Sequence, residues 1–522
     1  MVKRLFARKP LGLLLEEMEG DNRLRRVLGP VALTSLGIGC IIGTGIFVMT
    51  GVAAHDKAGP ALSVSFIVAG IACVFAALCY AEFASMVPVA GSAFTYAYAT
   101  LGELFAWIIG WDLVLEYTVA SASVAHGWSK YFQEFLTTVG SYLHMPGLRI
   151  PSVVANTPFD VASGGHLIST GSYIDLPAII IVAIITMVLV KGIKESASFN
   201  AAMVILKVSV VIFVIAVGAF FVDPKNWHPF APYGWGGMSF FGRAICGGPS
   251  GVPVGMLAGA AIMFFAYIGF DSVSTHAEEA RNPQRDVPIG IIASLLICTV
   301  LYIGVTVVLT GMVPYHKLDI NAPVSNAFAQ MGLPWAQLII AIGAVVGITS
   351  VLLVLMLSQP RVLLAMARDG LLPESFFGAV HERFRTPWKG TILTGIVVAI
   401  MAALIPLRIL AELVNIGTLL AFVIVCAAVL IMRKTHPEAR RPFRCPLVPV
   451  IPVLGVLTCL MLMFSLAVEN WLRLGIWMAM GLIIYWFYGR RHSVLAKRRQ
   501  QGLTDSGEFP IHVRSEMNDN TP

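Results

Sequence analysis

Twelve apolar runs, each about as long as a membrane is thick, dictate most of what this chain can become. A helix crossing roughly 30 Å of hydrocarbon needs about 20 apolar residues. Runs of that kind lie near 31–52, 62–87, 104–126, 174–191, 199–222 and 254–275. A second set follows near 288–311, 336–366, 391–405, 411–432, 450–467 and 471–488. Only 12% of the 522 residues are charged, where a soluble chain carries roughly a quarter. The expected fold class is an all-α polytopic membrane protein with twelve transmembrane helices.

Charge sets the orientation. Lys and Arg concentrate in the N-terminal tail, in 191–194, 281–285, 361–389 and 433–444, and after Arg490. The positive-inside rule then puts both termini in the cytoplasm. The net charge of +7 reads as a basic inner face, so no nucleic-acid partner is expected. The outer loops hold no Asn-x-Ser/Thr acceptor, in keeping with a bacterial inner membrane. The eight cysteines form no CxxC pair, and no His cluster is present, so neither a metal nor a disulfide is expected. HExxH, Gly-x-Ser-x-Gly and phosphate-binding loops are also missing, so the chain reads as no enzyme and needs no cofactor.

Glycine interrupts two of the runs. Gly37, Gly39, Gly43 and Gly45 fall within the first, and Gly269 sits beside Asp271 in the middle of the sixth. In lipid every backbone polar group must be satisfied internally. A glycine cluster at that depth is either a packing notch against a neighbouring helix or a break. A break frees N–H groups at one half-helix end and carbonyls at the other, which together suit a zwitterion. Spans one and six open two five-span halves of opposite topology, so the interruptions correspond. Paired interruptions in inverted repeats point to a transporter's substrate site. The expected divisions are a tail (1–30), a first repeat (31–222), an outer loop (223–253) and a second repeat (254–432). A linker (433–449), two further spans (450–488) and a C-terminal tail (489–522) follow.

Several stretches resemble the amino acid–polyamine–organocation superfamily, and within it the bacterial type of the cationic amino acid transporter family. They are Gly37 to Phe47, Tyr80-Ala81-Glu82-Phe83 leading to Pro88-Val89-Ala90-Gly91-Ser92, and Gly110 to Tyr117. Phe264 to Pro283 and Gln359-Pro360-Arg361 through Asp369-Gly370-Leu371 complete the set. The resemblance spans roughly residues 25–490. It implies a LeuT-like five-plus-five inverted repeat with broken helices one and six, and transport of L-amino acids by alternating access. Cationic and small neutral substrates both remain open. So do symport, obligate exchange and an amino-acid sensor. The expected partners are an L-amino acid, protons and the lipid bilayer, with a small single-span membrane peptide as an option for an exchanger.

Candidate site residues follow. Gly43, Thr44, Gly45 and Ile46 would offer N–H groups, and the Thr44 hydroxyl a further donor, to the substrate carboxylate. Ile41, Phe265, Ala266 and Ile268 would offer carbonyls to its ammonium. Phe270 is either a gate or a packing aromatic. Asp271 either meets the substrate side chain or caps the second half of span six. Lys207 is the only charge in its span before Asp223. It either snorkels to the inner interface or, as the resemblance to proton-coupled relatives implies, replaces a sodium ion. In that second role it would bond carbonyls near Ile42-Gly43 and the hydroxyl of Thr349 or Ser350, and its protonation cycle would couple transport. Asp112 and Glu116 share a face of span three. Glu116 is a candidate for selectivity or folding, and Asp112 for a solvated groove. Glu82 is expected to stabilise the inner gate. Glu278, Glu279, Arg281 and Arg285 follow span six, and either the carboxylates latch onto the basic 361–389 segment as an inner gate or the group is a solvated charge run.

Overall fold

The computed structural model describes residues 28–86, 92–145, 147–161, 167–192, 197–240, 243–246 and 253–500. Most of both tails and the Pro88–Gly91 part of the family motif lie outside these. Eight apolar helical stretches among the described residues are long enough to cross a membrane. Four shorter apolar helices, Pro30–Ile41, Leu176–Lys191, Trp388–Leu404 and Val450–Phe464, join them. The protein is a helical, multi-span membrane protein, with two short antiparallel strand pairs, Phe159–Val161 with Leu167–Ser169 and Met238–Phe240 with Arg243–Cys246, in its connections.

Span one is Pro30–Ile41, followed after a break by a π-helical turn at Gly45–Met49 that continues to Ala58. Span two is Leu62–Met86, span three Glu103–Tyr142, span four Leu176–Lys191 and span five Ala197–Gly218. Span six is Met256–Met263, a 3-10 turn at Phe264–Tyr267 and a short helix at Ser272–Thr275. Spans seven to ten are Pro283–Met312, Pro334–Arg368, Trp388–Leu404 and Leu407–Thr435. Val450–Phe464 and Val468–Ile484 are spans eleven and twelve.

One boundary differs from the sequence expectation. Span three, expected near 104–126, runs on to Tyr142. Its polar positions there are held from within: Thr137 and Thr138 hydroxyls donate to the carbonyls of Gln133 and Glu134. A separate short helix, Ser92–Thr100, precedes span three. Gly102, at φ 105°, turns the chain between the two.

Spans one and six cross at the centre of the molecule. A Cβ on Gly45 would lie 2.4 Å from the Ala266 Cα, so only glycine lets the two backbones meet there. Gly269 takes φ 111° and ends the 3-10 turn. At the basic end the same two segments are clipped together. The Leu28 N–H donates to the Glu279 carbonyl at 2.9 Å, and Arg281 N–H to the Leu28 carbonyl at 2.8 Å.

Candidate substrate site and coupling residue

Two facing breaks frame the candidate site. Helix one stops at Ile42, whose backbone is extended (φ −75°, ψ 100°), and helix resumes at Gly45. The first N–H groups of any restarted helix have no intrahelical acceptor and carry its positive dipole end. Thr44 stands at that start, buried, with its hydroxyl unpartnered. Gly127 of span three makes room for it, since a Cβ there would come within 2.5 Å of the Thr44 oxygen. Gly43 packs on Val351 of span eight.

Of the carbonyls expected to face an ammonium, two are held by one tyrosine. The Tyr302 hydroxyl of span seven reaches the Ile41 oxygen at 2.8 Å and the Ala266 oxygen at 3.0 Å. It thereby ties the loose ends of both broken helices. Phe265 and Ile268 lie in the same turn, largely buried, and the Ile268 N–H donates to the Phe265 carbonyl at 3.3 Å. Ile46 is buried beside them. Asn415 of span ten donates to the carbonyls of Ala261 (2.8 Å) and Ile262 (3.2 Å). Those carbonyls precede the switch from α to 3-10 geometry, where the regular i+4 donors fall out of place.

Lys207 is fully buried in span five. Its ammonium donates to the Gly39 carbonyl at 2.7 Å and to that of Ile42 at 3.3 Å, at the very end of the first half-helix. The expected hydroxyl partners are engaged elsewhere: Thr349 donates to the Val345 carbonyl and accepts from the Trp128 indole, while Ser350 donates to the Gly347 carbonyl. The cradle is thus made of carbonyls of one helix end, whose negative dipole suits a cation. Gly347 of span eight faces the lysine stem, and a Cβ at that position would lie in ordinary contact, 3.4 Å from the Lys207 Cβ.

Asp271 accepts from the Tyr117 hydroxyl at 3.0 Å and makes no capping bond to the helix at Ser272–Thr275, which corrects the cap reading. The geometry explains why: its own backbone is helical (φ −65°, ψ −28°), whereas a capping residue is extended. Glu116 and Asp112, one turn apart on span three, are as buried as Tyr117, so Asp112 does not sit in a solvated groove. Both Asp112 oxygens and one Glu116 oxygen have no hydrogen-bond partner. Among the described residues no basic side chain pairs with any of these three carboxylates. Phe270 packs edge-on against Tyr80 and tilted against Phe422, at 6.1 and 5.1 Å between ring centres.

On the basic face, Glu82 is the centre of a charge network. Arg433 reaches it with two N–H bonds (2.9 and 2.6 Å), Arg441 at 3.3 Å and the Cys445 N–H at 2.8 Å. This ties span two to span ten and to the linker after it. Glu279 stands 3.7 Å from Arg361 of span eight, and the Arg281 side chain is exposed. The Glu278 side chain lies outside the described residues.

Sequence reasoning did not single out Tyr302, Tyr117 or Asn415. Tyr302 and Asn415 are uncharged polar groups in apolar spans and Tyr117 stands between Glu116 and Thr118, and the signal that marks all three is that a buried hydroxyl or amide in lipid needs a partner.

Two discontinuous helices crossing at a glycine, with a buried ammonium at the end of one, define a membrane carrier of the broken-helix kind. A family model described as amino acid permease matches residues 28–488, and the chain belongs to that family, within the amino acid–polyamine–organocation superfamily. It is 48% identical over 492 residues to the branched-chain amino acid permease BcaP of Bacillus subtilis, covering 94% of this chain and 99% of the relative. It is 46% identical over 493 residues, with the same coverage, to the methylthioribose transporter of that organism. Cationic amino acid transporter 4, vacuolar, of Arabidopsis thaliana is 36% identical over 421 residues, 80% of this chain and 65% of the relative. The protein is a transporter of amino acids or related small organic molecules.

Proposed function

We propose that the protein is a proton-coupled, sodium-independent L-amino-acid symporter that works by alternating access, with the basic face and both termini in the cytoplasm. The observation that carries this reading is the Lys207 ammonium on the Gly39 and Ile42 carbonyls. A cradle of carbonyls at a helix end is where this architecture holds a coupling cation. Here a side-chain ammonium already fills it, and the cation that comes and goes is a proton. Loss of that proton withdraws a positive charge from the end of the first half-helix and frees two carbonyls at the substrate site. Binding and protonation are then linked through one helix end.

The α-carboxylate would rest on the N–H groups at Gly43 to Ile46, with Thr44 as an added donor, and the α-ammonium on the carbonyls at Ile41, Phe265, Ala266 and Ile268. The surrounding side chains, Ile46, Phe265, Ile268 and Phe270, are apolar. That lining and the name of the BcaP relative favour an aliphatic neutral substrate. The second reading, a cationic substrate, rests on Asp112, Glu116 and Asp271, which lack a basic partner among the described residues. Glu82 with its arginines, and Glu279 with Arg361, would hold the cytoplasmic gate.

Uptake by proteoliposomes tests this. Labelled leucine, alanine and arginine are offered under an inward proton gradient, a sodium gradient or internal amino acid alone. Accumulation of leucine or alanine driven by protons and indifferent to sodium supports symport. Arginine as the sole substrate would replace the neutral reading, and uptake only against internal amino acid would replace symport with exchange.

A further inference from the structure

We propose a binding site for an anionic phospholipid at the basic end of span seven, in a groove between that span and the linker after span ten. The groove is roughly 530 Å³. Arg285 stands at its mouth, Ile289, Ile292 and Leu296 form one wall, and Phe443 closes the other. From Arg285 to Leu296 the helix rises roughly 16 Å at 1.5 Å per residue. That is about half of a ~30 Å hydrocarbon layer, the depth of one leaflet. Ile289 and Leu296 are 39% and 50% exposed, so the groove opens toward lipid rather than into the protein.

Chemistry at the mouth selects the headgroup. The Arg285 side chain is exposed, and its guanidinium has no hydrogen-bond or ion-pair partner among the described residues. The acids nearby are committed elsewhere: Asp286 accepts from the Asn282 N–H at 3.1 Å, and Glu279 faces Arg361. Arg281, just before span seven, and Arg444, next to Phe443 on the linker, add exposed positive charge. A guanidinium presents a fork that matches two phosphate oxygens. Basic pockets beside spanning helices on the cytoplasmic side are where anionic headgroups settle.

The site is also preformed. Phe443 is held by Ser85 of span two, whose hydroxyl accepts its N–H at 3.2 Å. Glu82 takes the Cys445 N–H two residues on, and Arg441 bonds the carbonyls of Pro437, Ala439 and His436. A wall fixed in this way loses little conformational freedom when an acyl chain enters. The occupant is therefore a phospholipid with one chain along span seven and its phosphate on Arg285.

Native mass spectrometry of the purified transporter, equilibrated with equal phosphatidylglycerol and phosphatidylcholine, tests the proposal. One tightly retained phosphatidylglycerol, preferred about fivefold for a single arginine at the surface, is expected. Arg285→Ala should erase the preference and Arg285→Lys keep most of it. Ala293→Phe, which fills the groove, should reduce retention of both lipids, and Lys434→Ala, at another exposed cation of the same face, should change neither. A wild type without preference for the anionic lipid overturns the proposal, whatever the variants do. So does Arg285→Ala that still prefers it, or a folded Ala293→Phe that retains as much lipid as wild type.

Discussion

Removing the Tyr302 hydroxyl is the perturbation whose effect the site geometry sets most sharply. In Tyr302→Phe the ring and its packing remain, but the Ile41 and Ala266 carbonyls lose the donor that reaches both, at 2.8 and 3.0 Å. Tyr302 is fully buried, so water does not replace it freely. A buried acceptor left short of a donor costs about 1–3 kcal/mol. Two carbonyls share one proton here, so a total of about 2 kcal/mol is expected. The same carbonyls are those assigned to the substrate ammonium. An amino acid that binds them therefore recovers in the variant what the tyrosine supplied in the empty wild type. At ligand concentrations 100-fold above Kd, binding itself stabilises by about 2.7 kcal/mol. The assay is a thermal melt in detergent with and without substrate, alongside a binding titration. Tyr302→Phe should melt below wild type when empty and close most of that gap at saturation, with Kd about tenfold tighter, which is a 1.4 kcal/mol change. An equal loss of stability with and without substrate, and an unchanged Kd, would refute the placement of the ammonium on these carbonyls.

Three further substitutions separate the roles assigned here. Gly45→Ala drives a Cβ to 2.4 Å from backbone of span six and should abolish substrate binding, while Gly43→Ala meets only a valine methyl at 2.9 Å and should keep most of it; equilibrium binding compares the two. Glu82→Gln leaves Arg433 and Arg441 without their carboxylate and should lower stability by about 2 kcal/mol, reduced from the fully buried case because Arg433 is partly solvated; a melting curve reads it. Asp271→Asn keeps an acceptor for the Tyr117 hydroxyl and should leave leucine uptake within about threefold of wild type, since charge on that side chain is not used for a neutral substrate. Selective loss of arginine uptake in Asp271→Asn would instead favour the cationic reading.

How much of this was legible beforehand depends on the physical range of each signal. Span lengths and the paired breaks were readable because lipid forbids unsatisfied backbone, so a glycine cluster or an intramembrane charge such as Lys207 stands out in one dimension. The approach of Gly45 to Ala266 was not readable, because it is a contact between segments more than two hundred residues apart. The Gly39 carbonyl as the nearer partner of Lys207, in place of a hydroxyl on span eight, depends on the rotation of span five about its own axis. A sequence leaves that angle open. Tyr302 and Asn415 were hidden for a related reason: a lone tyrosine or asparagine in an apolar run carries no information about which distant carbonyl it will meet. For Asp271 the sequence left a cap and a substrate contact equally open, because an acid at a helix restart suits both, and the helical backbone of Asp271 itself removes the cap.

The most direct test of the central claim is the steady-state accumulation ratio of a neutral amino acid in proteoliposomes, for wild type and Lys207→Met, under an inward proton gradient with the membrane potential clamped at zero. One lysine in the cradle means one proton per cycle. A gradient of one pH unit is worth about 1.4 kcal/mol per proton, which concentrates substrate about tenfold. The account predicts a ratio near ten for wild type and near one for Lys207→Met, with exchange of labelled for unlabelled substrate still measurable in the variant. A Lys207→Met protein that still concentrates substrate with the proton gradient, or a wild type that answers only to sodium, would contradict it.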